Sequence, residues 1–114
     1  MQCISIGWSL LLDEDLLEPL SRSLIKPVIL GVLEKGERHG YSLMSELKRL
    51  TGRKVGPNIL YPALRDLELR GYVRGMWVSH GRRRLKKYLL TKKGKALLDK
   101  FREYLSSLLQ ELSS

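Results

Sequence analysis

The apolar residues of this 114-residue chain change their spacing twice, and that change dictates the order of its elements. Up to Arg70 they recur at helical intervals. From Tyr72 to Leu90 they fall into two short runs with a polar stretch between, and from Thr91 the helical interval returns. Ser21 and Ser23 offer caps for a first helix through about Glu34, with Ile25, Val28, Ile29, Val32 and Leu33 on one face and Pro27 tolerable only in its first turn. The turn Lys35-Gly36-Glu37-Arg38 ends it. A second helix is expected from Gly40 to Leu50, with Leu43, Leu47 and Leu50 on one face and Lys48 and Arg49 where the dipole favours cations. Thr51-Gly52 stops it. The third starts with Gly56 as cap and Pro57 in the first helical position, and runs to about Arg70 before Gly71. Leu60, Leu64 and Leu67 share its inner face, leaving Asn58, Tyr61, Arg65 and Asp66 outside. Pro62 conflicts with this helix, because it lacks an N–H and should bend or loosen the first turns.

Tyr72, Val73, Met76, Trp77 and Val78 read as a strand, and Lys87, Tyr88, Leu89 and Leu90 as another. Ser79-His80-Gly81-Arg82-Arg83-Arg84 between them reads as a polar hairpin loop. Thr91 caps a last helix to about Leu112. The fold class expected is therefore mainly α with a small β-hairpin, a winged helix-turn-helix with a C-terminal dimerisation helix. On that last helix Leu97, Phe101, Leu105, Leu108 and Leu112 repeat at steps of four and three, with Leu98 and Leu109 widening the stripe. The seam is longer than so small a body can cover, so a helix of a second subunit is its expected cover. About five such side chains would contribute roughly 1.5–3 kcal/mol each before entropy costs.

Charge narrows the partner. The formal net charge is +9, yet the window from Arg70 to Lys95 holds Arg70, Arg74, Arg82, Arg83, Arg84, Lys86, Lys87, Lys92, Lys93 and Lys95 with no Asp or Glu. That window carries more than the whole net excess, so the rest of the chain is near neutral. Three consecutive arginines in a hairpin suit a polyanion, and double-stranded DNA is the expected one. The pattern is a hairpin and not a basic amphipathic helix, so no membrane partner is expected.

Other classes find little support. Cys3 is a lone cysteine, which removes an internal disulfide and any multi-Cys zinc site. No paired carboxylates in a cleft pattern and no Gly-rich phosphate loop occur, and Cys3, His39 and His80 have no triad or metal spacing. No enzyme activity, cofactor or metal is expected. No apolar run reaches the roughly 18 residues of a membrane span. The stretch from Ile4 to Leu12 makes a poor signal peptide, so a cytoplasmic protein is expected. Three regions result: residues 1–20, a segment whose apolar side chains expect a docking surface; 21–90, a winged-helix DNA-binding domain; and 91–114, the dimerisation helix.

Several runs resemble the PadR family of transcription regulators. They are Ile29-Leu30-Gly31-Val32-Leu33, His39-Gly40-Tyr41, Leu60-Tyr61-Pro62-Ala63-Leu64-Arg65-Asp66-Leu67-Glu68, Gly71-Tyr72-Val73 and Lys87-Tyr88-Leu89-Leu90-Thr91-Lys92-Lys93-Gly94. The Leu-Tyr-Pro-Ala-Leu run accounts for the one local conflict, Pro62. The resemblance implies a winged-helix dimer held by its C-terminal helices, usually a repressor, with the third helix reading DNA. Asn58, Ile59, Tyr61 and Arg65 would then face DNA, and His39 would pack or cap. The chain departs from the family at Ile59, where a small hydroxyl residue is usual, and in a wing that is short and unusually basic. It resembles the compact subgroup with a single dimerisation helix.

The function expected is that of a symmetric dimer regulating transcription at a roughly palindromic operator, its two recognition helices about 34 Å apart. Arg65 and Asn58 suit base edges, since Arg pairs with guanine and Asn with adenine. Arg82, Arg83, Arg84 and Lys86 suit phosphates. Two alternatives stand beside it: a sensor of aromatic or drug-like effectors with Trp8, Phe101 and Tyr104 at the ligand, and a low-specificity protein that coats DNA.

Overall fold

The computed structural model describes residues 14–114. Expectations on Cys3, Trp8 and the apolar stretch Ile4 to Leu12 lie outside the described residues. The elements run α1 (Glu14–Ser23), α2 (Ile25–Glu34), β1 (Arg38–His39), α3 (Gly40–Thr51), α4 (Pro57–Leu69), β2 (Val73–His80), β3 (Arg83–Leu90) and α5 (Lys92–Ser113).

Ser21 and Ser23 do not cap a helix, because both lie inside α1. Ser23 Oγ donates instead to the Pro19 carbonyl at 2.9 Å. The cause is Pro27, whose ring would strike the carbonyl of Ser23 in an unbroken helix. The chain therefore breaks at Leu24 and restarts so that Pro27 falls in the first turn of α2.

Three helices then build the core. Ile29 and Leu30 of α2, Leu43 and Leu47 of α3, and Leu60 and Leu64 of α4 are fully buried. Gly52 ends α3 in the left-handed region, at φ 74°. Where α3 begins, Gly40 lies against the hydroxyl end of the Tyr61 side chain, and a Cβ there would run into it. Helix α4 opens as the sequence predicts, with Gly56 as cap and Pro57 in first position, and it stays helical through Pro62.

The sheet is three-stranded and antiparallel in the order β1-β3-β2. The hairpin thus gains a strand that the sequence does not announce, with Arg38 opposite Tyr88 and His39 opposite Lys87. The wing is also longer than expected. Eight cross-strand pairs run from Val73–Leu90 to His80–Arg83, so Ser79, His80, Arg83 and Arg84 belong to strands and only Gly81 and Arg82 turn. Gly81 takes φ 65°, and among the described residues no non-glycine has positive φ, which is the type II′ signature of a two-residue hairpin.

Thr91 caps α5 through its hydroxyl, which accepts from the Gly94 N–H at 3.0 Å and donates to the Gly71 carbonyl at 2.7 Å. The base of α5 packs on the body through buried Leu98 and half-buried Leu97 and Phe101. An ion cluster ties it to α2: Glu34 meets Arg102 and, at 2.9 Å, Lys95, while Asp99 braces the same two cations. Beyond that cluster the apolar stripe is bare, with Leu108 45% and Leu112 83% exposed. No helix among the described residues is long and apolar enough to cross a membrane. Three helices, a β-ribbon and a closing helix make this a winged-helix fold.

Candidate nucleic-acid interface

The buried residues of α4 fix which side chains it offers to solvent. Leu60, Ala63, Leu64 and Leu67 face the core. At 3.6 residues per turn, Asn58, Pro62, Arg65 and Leu69 fall on the opposite face, and all four are exposed. Tyr61 and Glu68 occupy the flank turned to α3 and the wing. Ile59 and Asp66 occupy the other flank, turned to α2: Asp66 accepts from Lys26 at 2.7 Å and from Arg70 at 2.9 Å. Ile59 packs half-buried against the core and lines a cavity of about 350 Å³ with Ile25, Pro62 and Ala63. Of the four helix residues implicated by sequence, Asn58 and Arg65 stand together outward, Tyr61 borders them, and Ile59 is turned away. Pro62 adds a further polar group to this face, since without an N–H it leaves the Asn58 carbonyl no helical donor.

The wing is fastened to α4 by one carboxylate. Glu68 Oε1 accepts from Lys86 Nζ at 3.1 Å, and Glu68 Oε2 accepts from the Gly75 N–H at 3.3 Å. Side chains on a strand alternate, so Arg84, Lys86 and Tyr88 share one face with their cross-strand neighbours Ser79, Trp77 and Gly75. Lys86 touches α4 at Glu68, one turn beyond Arg65. The wing face that carries Arg84 is therefore the face that adjoins the outward side of α4.

Charge is distributed less evenly than the sequence implies. Arg70, Lys86, Lys87 and Lys95 meet acids from outside the acid-free window, namely Asp66, Glu68, Glu37 and Glu34. Lys86, expected to hold phosphate, thus already holds Glu68, and it is half-buried over the rings of Tyr88 and Trp77. Tyr88 beside it is buried, which raises its phenol pKa and keeps it neutral. Arg82, Arg83 and Arg84 are exposed and have no carboxylate partner among the described residues, and the same is true of Arg65. These four cations remain available to an outside anion.

Two residues with a part in this surface are not among the candidates from sequence. Trp77 sits 58% exposed on the wing with the Arg84 guanidinium 5.2 Å from its ring centroid. Its signal was an aromatic inside a cationic stretch. Glu68 gives no signal, because its partner lies 18 residues away across the turn into the wing. His39 holds the cap position of α3 with no side-chain cap bond, and His80 ends β2 exposed. Of the residues considered for an aromatic effector, Phe101 packs half-buried against the core, Tyr104 is 64% exposed, and Trp8 is outside the described residues. No group of three or more His, Cys, Asp or Glu that could hold a metal occurs among the described residues.

Known proteins share this architecture. A PadR family transcriptional regulator from Eggerthella lenta superposes with a TM-score of 0.79 at 25% identity, over 88% of each chain. RosR of H. salinarum superposes with a TM-score of 0.63 at 30% identity, over 73% of each chain. A PadR-like regulator of Bacillus cereus shares the fold at 20% identity, with a TM-score of 0.76 over 83% of this chain and 93% of that one. In sequence, a 37.1 kDa protein in transposon TN4556 of Streptomyces fradiae is 34% identical over 73 residues, which is 64% of this chain but only 20% of that protein. Residues 29–100 match the transcriptional regulator PadR-like family, which covers the core helices, the wing and the base of α5, and the chain belongs to that family.

Proposed function

We propose that the protein is a cytoplasmic, homodimeric regulator that binds double-stranded DNA at a specific operator and represses transcription there. The observation that carries this reading is a set of exposed cations without a carboxylate partner among the described residues: Arg65, beside Asn58, on the outer face of α4, Arg84 on the adjoining face of the wing, and Arg82 and Arg83 at its turn, on a ribbon that Glu68 fastens to the same helix. An exposed Arg and Asn on a helix can pair with guanine and adenine in the major groove. Arginines on a projecting ribbon can follow phosphates or enter the minor groove. A dimer is supported by the exposed Leu108 and Leu112, which continue the stripe of half-buried Leu105 on α5, with residues 21–90 as the DNA-binding part. Ile59 and Lys86 are left out of the DNA-contacting set, because the first packs inward and the second is held by Glu68.

Footprinting on fragments of the source genome, at stated salt, tests this. One protected site with two half-sites about one helical turn apart is the expected result. Arg65→Ala should reduce discrimination between that site and random DNA by about tenfold or more while leaving non-specific binding intact. Uniform coverage of every fragment would instead indicate a protein that coats DNA. Transcription from a promoter holding the protected site should fall when the protein is added.

A further inference from the structure

The wing keeps a large aromatic ring where folding has no use for it. Trp77 is 58% exposed, contributes nothing to the buried core, and lies on the wing face that adjoins α4. Two cations close over it: the Arg84 guanidinium at 5.2 Å from the ring centroid and Lys86 Nζ at 5.8 Å. The register explains the arrangement, since Lys86 is the cross-strand partner of Trp77 and Arg84 is the next residue on the same face.

We infer that Trp77 is part of the DNA-contacting surface, where its indole lies against the sugar-phosphate backbone of a duplex and positions Arg84 to bind phosphate. The inference rests on the DNA-binding reading and extends it to a residue outside the arginine cluster. A guanidinium stacks through its face and donates hydrogen bonds from its edge, so an Arg84 held on the ring keeps its N–H groups available to an anion. A long side chain on a solvated ribbon otherwise loses rotamer freedom on binding, and stacking removes part of that loss beforehand. The partner is nucleic acid by charge complementarity. Arg84 stands over the ring, and Arg82 and Arg83 follow at the tip of the same ribbon, all three exposed with no carboxylate partner among the described residues.

The chain has two tryptophans, so Trp8→Phe leaves Trp77 as the sole tryptophan, excited selectively on the red side of the tyrosine absorption. In this background, acrylamide quenching of Trp77 is measured with and without a mixed-sequence duplex, and binding is followed separately by anisotropy of the labelled duplex. Saturating duplex should lower the quenching constant several-fold. Trp77→Ala should weaken binding by about tenfold on specific and random sequences alike, and Trp77→Phe should recover most of it. Because the ring is exposed, Trp77→Ala should lose only its contacts with Lys86 and Arg84, keeping the parent's helix content and unfolding cooperatively well above the assay temperature, which separates this loss from misfolding. If the duplex binds but either the quenching or the Trp77→Ala affinity is unchanged, the inference is wrong and the DNA-binding reading stands. If the parent binds no duplex at all, both are wrong.

Discussion

Glu34 ends α2 with a carboxylate held between two cations of α5. Hydrogen bonds from Arg102 and then Lys95 lower its pKa from 4.5 to about 2. A depressed carboxylate pKa contributes stability that is complete above the ordinary value of 4.5 and is lost as pH falls through about 2. Glu34→Gln should therefore be less stable than the parent at neutral pH, and the gap should narrow as acid protonates Glu34. Urea midpoints of both proteins at neutral pH and near pH 3 check this; a gap that stays constant would contradict it. Single residues were legible in the sequence to different depths. Asn58 and Arg65 were legible because Leu60, Leu64 and Leu67 fix the inner face of α4, and the opposite face follows from the helical period. Only the family resemblance points Ile59 to DNA, and its position on the flank beside Ile25 turns it to the core. The Lys86–Glu68 pair could not be read, since it depends on how the wing folds back over α4.

Among the elements, α4 holds the sharpest local conflict. Pro62 removes one helical hydrogen bond, and its ring crowds the Asn58 carbonyl, yet the helix continues through it. Pro62→Ala should restore the bond and stabilise the fold by about 1–3 kcal/mol, visible as a raised thermal midpoint. An unchanged or lowered midpoint would mean that Pro62 fits without cost. Helix boundaries at Gly52, Gly56 and Gly71 were readable because glycine and proline act locally on backbone angles. Other boundaries are set by distant partners. β1 is two residues long, too short for any period, and exists because β3 pairs with it across some 50 residues of chain. The wing looked short because Ser79, His80, Arg83 and Arg84 are polar. A ribbon surrounded by water needs no apolar alternation, however, and its backbone ladder continues to the turn.

At the scale of the whole molecule, the body is closed around one core while the end of α5 leaves Tyr104, Leu108, Leu109 and Leu112 in solvent. A stripe of that kind fits a second copy. Leu108→Glu would place a carboxylate in the seam from each subunit and should weaken the dimer by about 3 kcal/mol or more. Sedimentation of parent and variant reads this directly: a dimeric parent and a monomeric variant with unchanged helix content are expected, whereas a parent that is monomeric at all concentrations refutes the seam as a subunit contact.

The wing arginines and the outer face of α4 carry the account together, and the salt dependence of DNA binding tests them most directly. Each phosphate contact contributes about 0.9 to the slope of log affinity against log salt. Changing Arg82, Arg83 and Arg84 together to Ala should flatten that slope by about 2–3 for each subunit bound and weaken specific and random DNA alike. An unchanged slope, with affinity intact, would show that DNA does not meet the wing and would contradict the surface described for this protein.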